Sequence, residues 1–339
     1  MIYRGCIINL DLIWVSNSFS YIIKNKIERK YGIDPSKIII SATHTHSSPQ
    51  IIETASYYGS IDRGYENSLM KNILSCVKQA LLKLQNCKIK VRISESEELP
   101  IVKRNTLGFD FIKMKKSFFS SPNDNFKFDD EIISIGIYNE NAEIIAILIN
   151  LAVHPVFHNK KYISTDFIGV LRDVLSKKYN INYVFFLQGF CGDIRPDYRK
   201  FNMRSVKNFI RYGKLKKSFS SEIIEKEKEF CKLLASKINL PKNIELVRND
   251  KYTSSSFKAI IKNFNPYDEK SFKIDDHSQI IIHRLDFDDK ITFICVNGEI
   301  FSEFSLRLKA IAKKNKKIFI PLGYCCLLYT SDAADEEDS

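Results

Sequence analysis

Apolar residues occur along the chain in short runs that alternate with segments of helical spacing. Ile7–Val15 and Lys37–Ala42 are apolar enough to form buried strands. Between them, Ser18–Tyr31 has helical spacing and is followed by Gly32, a residue type that commonly ends helices. This order of strand, helix and strand is typical of an α/β protein.

The same alternation continues through the rest of the chain. Residues 65–86 repeat apolar side chains every three or four positions, as an amphipathic helix does, and the polar residues 105–128 predict a loop. Further strands are predicted at Ile132–Tyr138, Glu143–Val153, Tyr183–Leu187, Gln279–Leu285, Lys290–Val296 and Lys317–Leu322, and further helices at Phe167–Lys178 and Ser302–Lys314. Since no repeat or linker is visible, we expect one α/β domain with a mixed β-sheet core flanked by helices.

The composition fits a folded domain but does not identify a partner for its positive charge. Hydrophobic residues make up 44%, and Lys and Arg number 52 against 40 acidic residues, for a net charge of +12. The basic residues are spread along the chain, and no RNA-binding signature occurs, so we expect no nucleic-acid partner. A basic protein that binds nucleic acid or anionic lipid remains a rival hypothesis, which steep salt dependence of binding would identify.

Cysteine spacing and hydropathy exclude several other classes. None of the eight cysteines forms a CxxC pair, so neither a zinc finger nor a thioredoxin-like site is predicted. The longest apolar stretch, Ile144–Val153, is too short for a transmembrane segment. No secretion signal is visible, which leaves the compartment unknown, with the cytoplasm as the default, and the oligomeric state open.

Three of the six histidines follow predicted strands. His44 and His46 lie two positions apart in THTHSSP, and residues with this spacing point the same way in an extended chain. His154 follows the strand that ends at Val153. A single histidine of this kind is more often a loop or core residue, but three at strand ends favour a shared site.

Acidic residues and a glycine beside other strand ends extend this site, although each has a structural alternative. Glu299 precedes a predicted helix, where an acid also complements the helix dipole, and Asp166 would make a good N-cap. Asp193 could hold a histidine, a substrate hydroxyl or its own backbone, and Gly192 permits a tight turn whose N–H groups bind an anion. Histidines and carboxylates together suit catalytic zinc, which activates water.

Five segments in this order carry a resemblance to a known family: THTHSSP, NLAVHPVFH, ISTDFIG, LQGFCGDIRP and NGEIFSEFSLRL. Over residues 5–325 the chain resembles the catalytic domain of neutral/alkaline, non-lysosomal ceramidases. The resemblance implies a metal hydrolase fold in which His44, His154, Glu299 and a tyrosine bind Zn²⁺. It also implies that His46 and Arg104 line the site.

Two departures from the family shape the functional expectation. Arg195 stands where the family carries a serine nucleophile in GD-x-S-P. Ser48 occupies the position of a glycine in the family's HTHSGP motif. We therefore expect zinc-dependent hydrolysis of a small or lipid-like amide, or else of an ester, with His46 and Arg195 as catalytic residues. The residues expected to contact substrate are Arg104, Asp166, Gly192 and Asp193. The alternative is a non-catalytic binding protein with the same fold.

The two ends of the chain are expected to depart from the family. Residues 1–325 are read as a catalytic domain incomplete at both ends, and residues 326–339 as a foreign or disordered tail. The run CLLYTSDAADE resembles an in-frame translation of a sequencing adapter. The family's tyrosine ligand aligns near residue 331, which neither Tyr324 nor Tyr329 matches. We therefore expect at most three of the four zinc ligands.

Overall fold

The computed structural model describes residues 5–49, 51, 61–125, 127–158, 162–214, 217–219, 224–241, 252–260, 279–287 and 290–326. Six α-helices occur within these residues: α1 (Asn17–Tyr31), α2 (Arg63–Leu82), α3 (Phe167–Tyr179), α4 (Met203–Tyr212), α5 (Glu227–Lys237) and α6 (Ser302–Lys314). The strands there are β1 (Cys6–Leu10), β2 (Ile38–Ala42), β3 (Lys88–Glu95), β4 (Ile101–Asp110), β5 (Lys115–Asn123), β6 (Glu131–Tyr138), β7 (Ile144–Leu151), β8 (Tyr183–Gln188), β9 (Ile194–Pro196), β10 (Arg199–Lys200), β11 (Ser218–Phe219), β12 (Tyr252–Ile260), β13 (Gln279–Phe287), β14 (Ile291–Val296), β15 (Ile318–Leu322) and β16 (Cys325–Cys326).

The strands form several sheets with both parallel and antiparallel pairs. Two four-stranded sheets have the orders β3-β6-β7-β8 and β12-β13-β14-β15, and two three-stranded sheets have the orders β1-β2-β16 and β5-β4-β9. β7 and β8 are parallel, as are β1 and β2, whereas β6 and β7 are antiparallel. The α/β class with mixed pairing is confirmed, and the strands are divided among several sheets.

Local sequence accounts for the ends of the predicted helices. The Ser16 side chain accepts the backbone N–H of Phe19 at the start of α1, and Gly32 ends that helix with a left-handed φ of 66°.

In α3, Phe167 packs against Phe157, Phe186 and Phe230, with ring centroids 5.9, 5.4 and 5.2 Å away. This aromatic cluster anchors the loop after β7, on which His154 lies.

The loop prediction for residues 105–128 is wrong, because most of this segment forms an antiparallel hairpin of β4 and β5. At its turn, the Asp110 carboxylate accepts hydrogen bonds from the backbone N–H groups of Ile112 and Lys113. It also forms an ion pair with Arg211. The segment looked like a loop because its polar residues obscure the period-two pattern of a strand. Backbone pairing along the hairpin stabilises the strands in spite of that composition.

Strand ends bring the predicted site residues to one place. β7 and β8 are parallel and end at the same edge, where Gly189 donates its backbone N–H to Leu151 and His154 donates to Ile194. The Gly192 N–H donates to the Ile300 carbonyl and joins this edge to the loop after β14.

The described chain continues one residue past the expected domain boundary. Cys326 pairs with Ile40 in β16, so this first residue of the expected tail belongs to a sheet. Residues 327–339, including Tyr329, lie outside the described residues.

Across the part of the chain that is described, no helix has the length and apolarity needed to cross a membrane.

Candidate metal centre

His44 lies just beyond β2 in a backbone conformation that non-glycine residues seldom adopt. Its φ is 67°, and its N–H donates to the Leu12 carbonyl at 2.9 Å. Thr45 fixes the following residues by donating its hydroxyl to the Ser164 carbonyl at 2.8 Å. The strained turn therefore aims His44 inward, in place of the extended chain that the sequence suggested.

Three imidazole rings meet at their Nε2 atoms. The His44 Nε2 lies 3.3 Å from that of His154 and 3.4 Å from that of His46. His44 and His154 are buried, whereas His46 is the exposed member. These three residues form a group that could hold a metal ion.

Hydrogen bonds determine which ring nitrogens carry protons. The Nδ1 of His44 lies 2.8 Å from the Ile13 carbonyl oxygen, and the Nδ1 of His154 lies 2.7 Å from that of Cys191. A carbonyl oxygen can only accept, so each Nδ1 is the protonated donor and each neutral ring has its Nε2 lone pair directed into the cluster. Facing lone pairs at this distance repel unless a cation or a proton lies between them.

Glu299 adds a carboxylate to these converging lone pairs. Its Oε1 is 3.0 Å from the His154 Nε2 and 2.6 Å from a terminal nitrogen of Arg104. The Arg104 Nε also donates to the Gly192 carbonyl at 3.0 Å. Arg104 therefore holds Glu299 against the loop before β9 and balances its charge.

The separations of these atoms fit a small divalent cation. With ligand distances of about 2.0–2.1 Å, neighbouring ligands around a tetrahedral zinc ion are about 3.3 Å apart. The distance between the His44 and His154 Nε2 atoms is 3.3 Å, and the distance from the His154 Nε2 to the Glu299 Oε1 is 3.0 Å. The donor set of imidazole nitrogens and a carboxylate oxygen is one that zinc accepts.

Burial keeps the inner rings in the form that can bind a metal. The pKa of His44 is well below 6.5, mainly because of burial and then because of His154 and His46 nearby. The pKa of His154 is also lowered, mainly by burial and then by the nearby Arg104 and His46. Both rings therefore remain neutral below the pH at which an exposed histidine becomes protonated.

Arg195 lies close enough to His46 for its charge to act on the His46 ring. Arg195 is half-buried in β9, and burial, with Arg104 and Arg204 nearby, lowers the pKa of its guanidinium to about 10. It therefore carries a positive charge at neutral pH. The pKa of His46 is lowered by desolvation of its ring and by the charges of Arg104 and Arg195, against the opposing effect of Glu299.

Two predicted substrate-contact residues have backbone partners in the structure. The Asp166 carboxylate accepts the N–H groups of His158 and Phe167 at 2.7 and 2.9 Å, and burial raises its pKa to about 6. The Asp193 carboxylate accepts the Ser302 N–H at 2.8 Å and lies 3.1 Å from the Lys103 ammonium. Asp166 caps α3, and Asp193 binds the first residue of α6.

If Asp193 acts as this anchor, Asp193→Ala will destabilise the fold. Loss of the buried acceptor leaves the Ser302 N–H without its partner, and we expect the free energy of unfolding to fall by about 2 kcal/mol. Urea denaturation measures the change. Asp62→Ala, which removes an exposed cap from α2, should cost less. Equal losses in the two variants would contradict this role.

Gly192 lies against the loop that carries Glu299. A Cβ atom added there would lie 2.9 Å from the Glu299 carbonyl oxygen and 3.0 Å from that of Ile300. Backbone atoms at these distances would have to shift. The Glu299 loop can therefore pack this closely because residue 192 has no side chain.

Gly192→Ala should therefore displace Glu299 and destabilise the fold by about 1–3 kcal/mol. The matched control is Gly298→Ala, whose Cβ would meet side-chain atoms alone, the nearest being the flexible end of Ile300 at 3.2 Å. Urea denaturation compares the two proteins. A loss in the Gly298 variant as large as that in the Gly192 variant would contradict the explanation.

Two residues that sequence reasoning did not assign to the site support His44. The Tyr324 ring stacks on the His44 ring, with centroids 3.8 Å apart and an interplanar angle of 18°. Ser48 accepts the Ile13 N–H at 3.0 Å and so anchors the residue whose carbonyl binds the His44 ring. The position of Tyr324, two residues after the end of β15, is the signal in the sequence that its ring could reach the strand-end edge.

Comparisons with known proteins identify the fold. No family model matches the chain. The crystal structure of neutral ceramidase from Pseudomonas aeruginosa has a TM-score of 0.67 and 13% identity, covering 94% of this chain and 59% of that one. A ceramidase complexed with C2 has a TM-score of 0.66 and 13% identity, covering 95% of this chain and 60% of that one.

These similarities show that the chain has a ceramidase-like fold, with a histidine cluster where β2 and β7 end. The chain spans about three fifths of the length of the ceramidase chains that it matches.

Proposed function

We propose that this chain is a zinc-dependent hydrolase of a small or lipid-like amide, with esters as less favoured substrates. The observation that carries the proposal is the convergence of the His44 and His154 Nε2 lone pairs with the Glu299 carboxylate. Each imidazole has its Nδ1 bound to a backbone carbonyl, an arrangement that fixes the rings of metal-binding histidines. The ceramidase-like fold supports the same reaction class by analogy.

In this proposal, His44, His154 and Glu299 hold Zn²⁺, and the remaining residues handle substrate and protons. When bound, zinc supplies a Lewis acid that polarises a carbonyl and acidifies water. The Nε2 of His46 takes up a proton during attack by water and returns it to the departing amine nitrogen. The positive charge of Arg195 stabilises the negative charge that develops on the carbonyl oxygen.

The remaining predicted contacts have supporting roles in this proposal. Arg104 orients Glu299 and lies close enough to the cluster to hold an anionic substrate group. Gly192 accepts a hydrogen bond from Arg104 in β4, and Asp193 binds the start of α6. Asp166 positions the loop that contains His158. A substrate therefore meets mainly His46, Arg104 and Arg195.

Arg195 also supports a second candidate function. It stands where the family that the sequence resembles carries a serine nucleophile, so the chain lacks a hydroxyl at that position. A non-catalytic binding protein with this fold would keep the pocket but release no product. The positive charges of Arg104 and Arg195 would then hold an anionic ligand.

A substrate panel with metal control tests the proposal. The purified chain, stripped of metal and reconstituted with Zn²⁺, is assayed against N-acyl amino alcohols and the matched esters. We expect hydrolysis that a chelator stops and zinc restores, with amides favoured. Chelator-insensitive hydrolysis or an acylated serine near Gly192 would contradict the mechanism, and bound zinc without turnover would favour the binding protein.

A further inference from the structure

The amphipathic helix α4 is arranged with its apolar side outward. Ser205 and Asn208 are its buried residues. Its exposed large apolar residues are Met203 at 70%, Val206 at 45%, Phe209 at 51% and Ile210 at 71%. Surface helices normally bury such side chains and expose polar ones. The apolar side of α4 is therefore suited to an apolar environment outside the described chain.

The turn of the β4–β5 hairpin extends this apolar surface. Phe111 donates its N–H to the Arg211 carbonyl at 3.0 Å, and Arg211 pairs with the buried Asp110 at 2.7 Å. These bonds hold the end of α4 against the turn. The exposed apolar residues there are Phe109 at 39%, Phe111 at 54%, Ile112 at 74% and Met114 at 71%. We call the exposed residues of 109–116 and 201–214 the α4–hairpin surface.

The same surface is strongly basic. Residues 201–214 include four Lys and Arg and no Asp or Glu, and residues 111–116 include three Lys and no acid. Lys207, Lys214 and Lys115 are exposed around the apolar side chains. The one carboxylate at the hairpin turn, that of Asp110, is buried against Arg211.

We propose that the α4–hairpin surface docks on a lipid bilayer that contains anionic lipid. Exposed apolar side chains enter the boundary between headgroups and acyl chains, and the surrounding lysines bind the negative headgroups. The aliphatic residues Ile112, Met114 and Ile210 favour a bilayer over single-stranded nucleic acid, whose bases stack on aromatic rings. The docking is peripheral.

The hairpin also relates this surface to the candidate metal centre. β4 carries both Arg104, which holds Glu299, and Asp110, at the turn. Six residues of strand span about 20 Å. A docked protein would thus hold the centre within about that distance of the lipid contact along β4. The docking itself does not depend on hydrolysis, so failure of either proposal leaves the other intact.

Vesicle co-sedimentation tests this docking directly. The chain is mixed with vesicles of phosphatidylcholine alone and with vesicles that also contain phosphatidylserine. We expect binding to the anionic vesicles only, weakened by salt. Since one basic residue near such a surface contributes about fivefold, Lys207→Ala with Lys214→Ala should lower the partition coefficient about 25-fold. Ile210→Asp should also lower it strongly.

The matched controls lie on α6. Ile311→Asp changes an apolar residue that is 57% exposed, and Lys313→Ala with Lys314→Ala removes two charges, so both variants should bind vesicles as the unchanged protein does. Circular dichroism verifies that each variant is folded. Equal binding to neutral vesicles, equal losses in the α6 variants, or binding to single-stranded oligonucleotides without vesicle binding would overturn the proposal.

Discussion

His154→Ala is expected to abolish stoichiometric zinc binding and to reduce hydrolysis at least about a thousandfold. In the proposed site His154 joins the cluster, because its Nε2 lies 3.3 Å from the His44 Nε2 and 3.0 Å from the Glu299 Oε1. Removal of one ligand from a site with few protein ligands leaves the ion weakly held. Calorimetric titration of the metal-stripped protein with Zn²⁺ measures the binding, and the amide assay measures the hydrolysis.

His283→Ala is the matched control for this variant. His283 is buried to a similar degree, with 2% exposed against 1% for His154, but it lies in β13 and outside the histidine group that could hold a metal ion. Both variants remove a buried imidazole, so only an effect on zinc separates a ligand from a core residue. Unchanged zinc affinity in a folded His154→Ala protein would refute the assignment.

Arg104→Ala should lower kcat/KM by about a hundredfold or more while the protein stays folded. The change frees the Glu299 carboxylate, which Arg104 holds at 2.6 Å, and removes the bond to the Gly192 carbonyl. Loss of residues that orient metal ligands typically costs 10–100-fold, and the lost positive charge adds to this. Steady-state kinetics of the zinc-loaded variant provide the test.

Arg172→Ala provides the comparison. Arg172 pairs with Asp11 at 2.6 Å, and the exposures of this pair, 24% and 32%, resemble those of Arg104 and Glu299, 29% and 35%. Removing it should change kcat/KM little. Arg104→Lys keeps the charge but loses the fork that binds two acceptors. Its kcat/KM should therefore lie between those of the Arg104→Ala and Arg172→Ala variants. An Arg104→Ala enzyme within about threefold of the unchanged protein would exclude the positioning role.

The pattern of short strands and helices was informative about the fold. α6 has the predicted bounds, and the strands near 131–151 and 183–188 lie where apolar runs predicted them. The hairpin of β4 and β5 was missed because its stability comes from pairing over distance, which local composition does not report. A single mixed sheet was expected, and pairing divided the strands among several sheets.

The candidate site was visible in the sequence only as separate strand ends. The structure brings His44, His46, His154 and Glu299 within hydrogen-bonding distance of one another in pairs, but the left-handed backbone at His44 follows from long-range contacts. For Asp166, the N-cap alternative noted in the sequence matches the observed contact with Phe167, whereas Asp193 binds the backbone N–H of the distant Ser302 and not its own backbone. Spacing alone did not separate a capping carboxylate from one that contacts substrate.

Crystals of the zinc-loaded protein, measured at the zinc absorption edge, test whether His44, His154 and Glu299 bind zinc. We expect one strong anomalous peak about 2 Å from the Nε2 atoms of His44 and His154 and from the Glu299 carboxylate. We also expect this peak to be lost in His154→Ala crystals prepared in the same way. A zinc-loaded protein whose peak lies at cysteines or surface residues, with none among these atoms, would contradict this assignment.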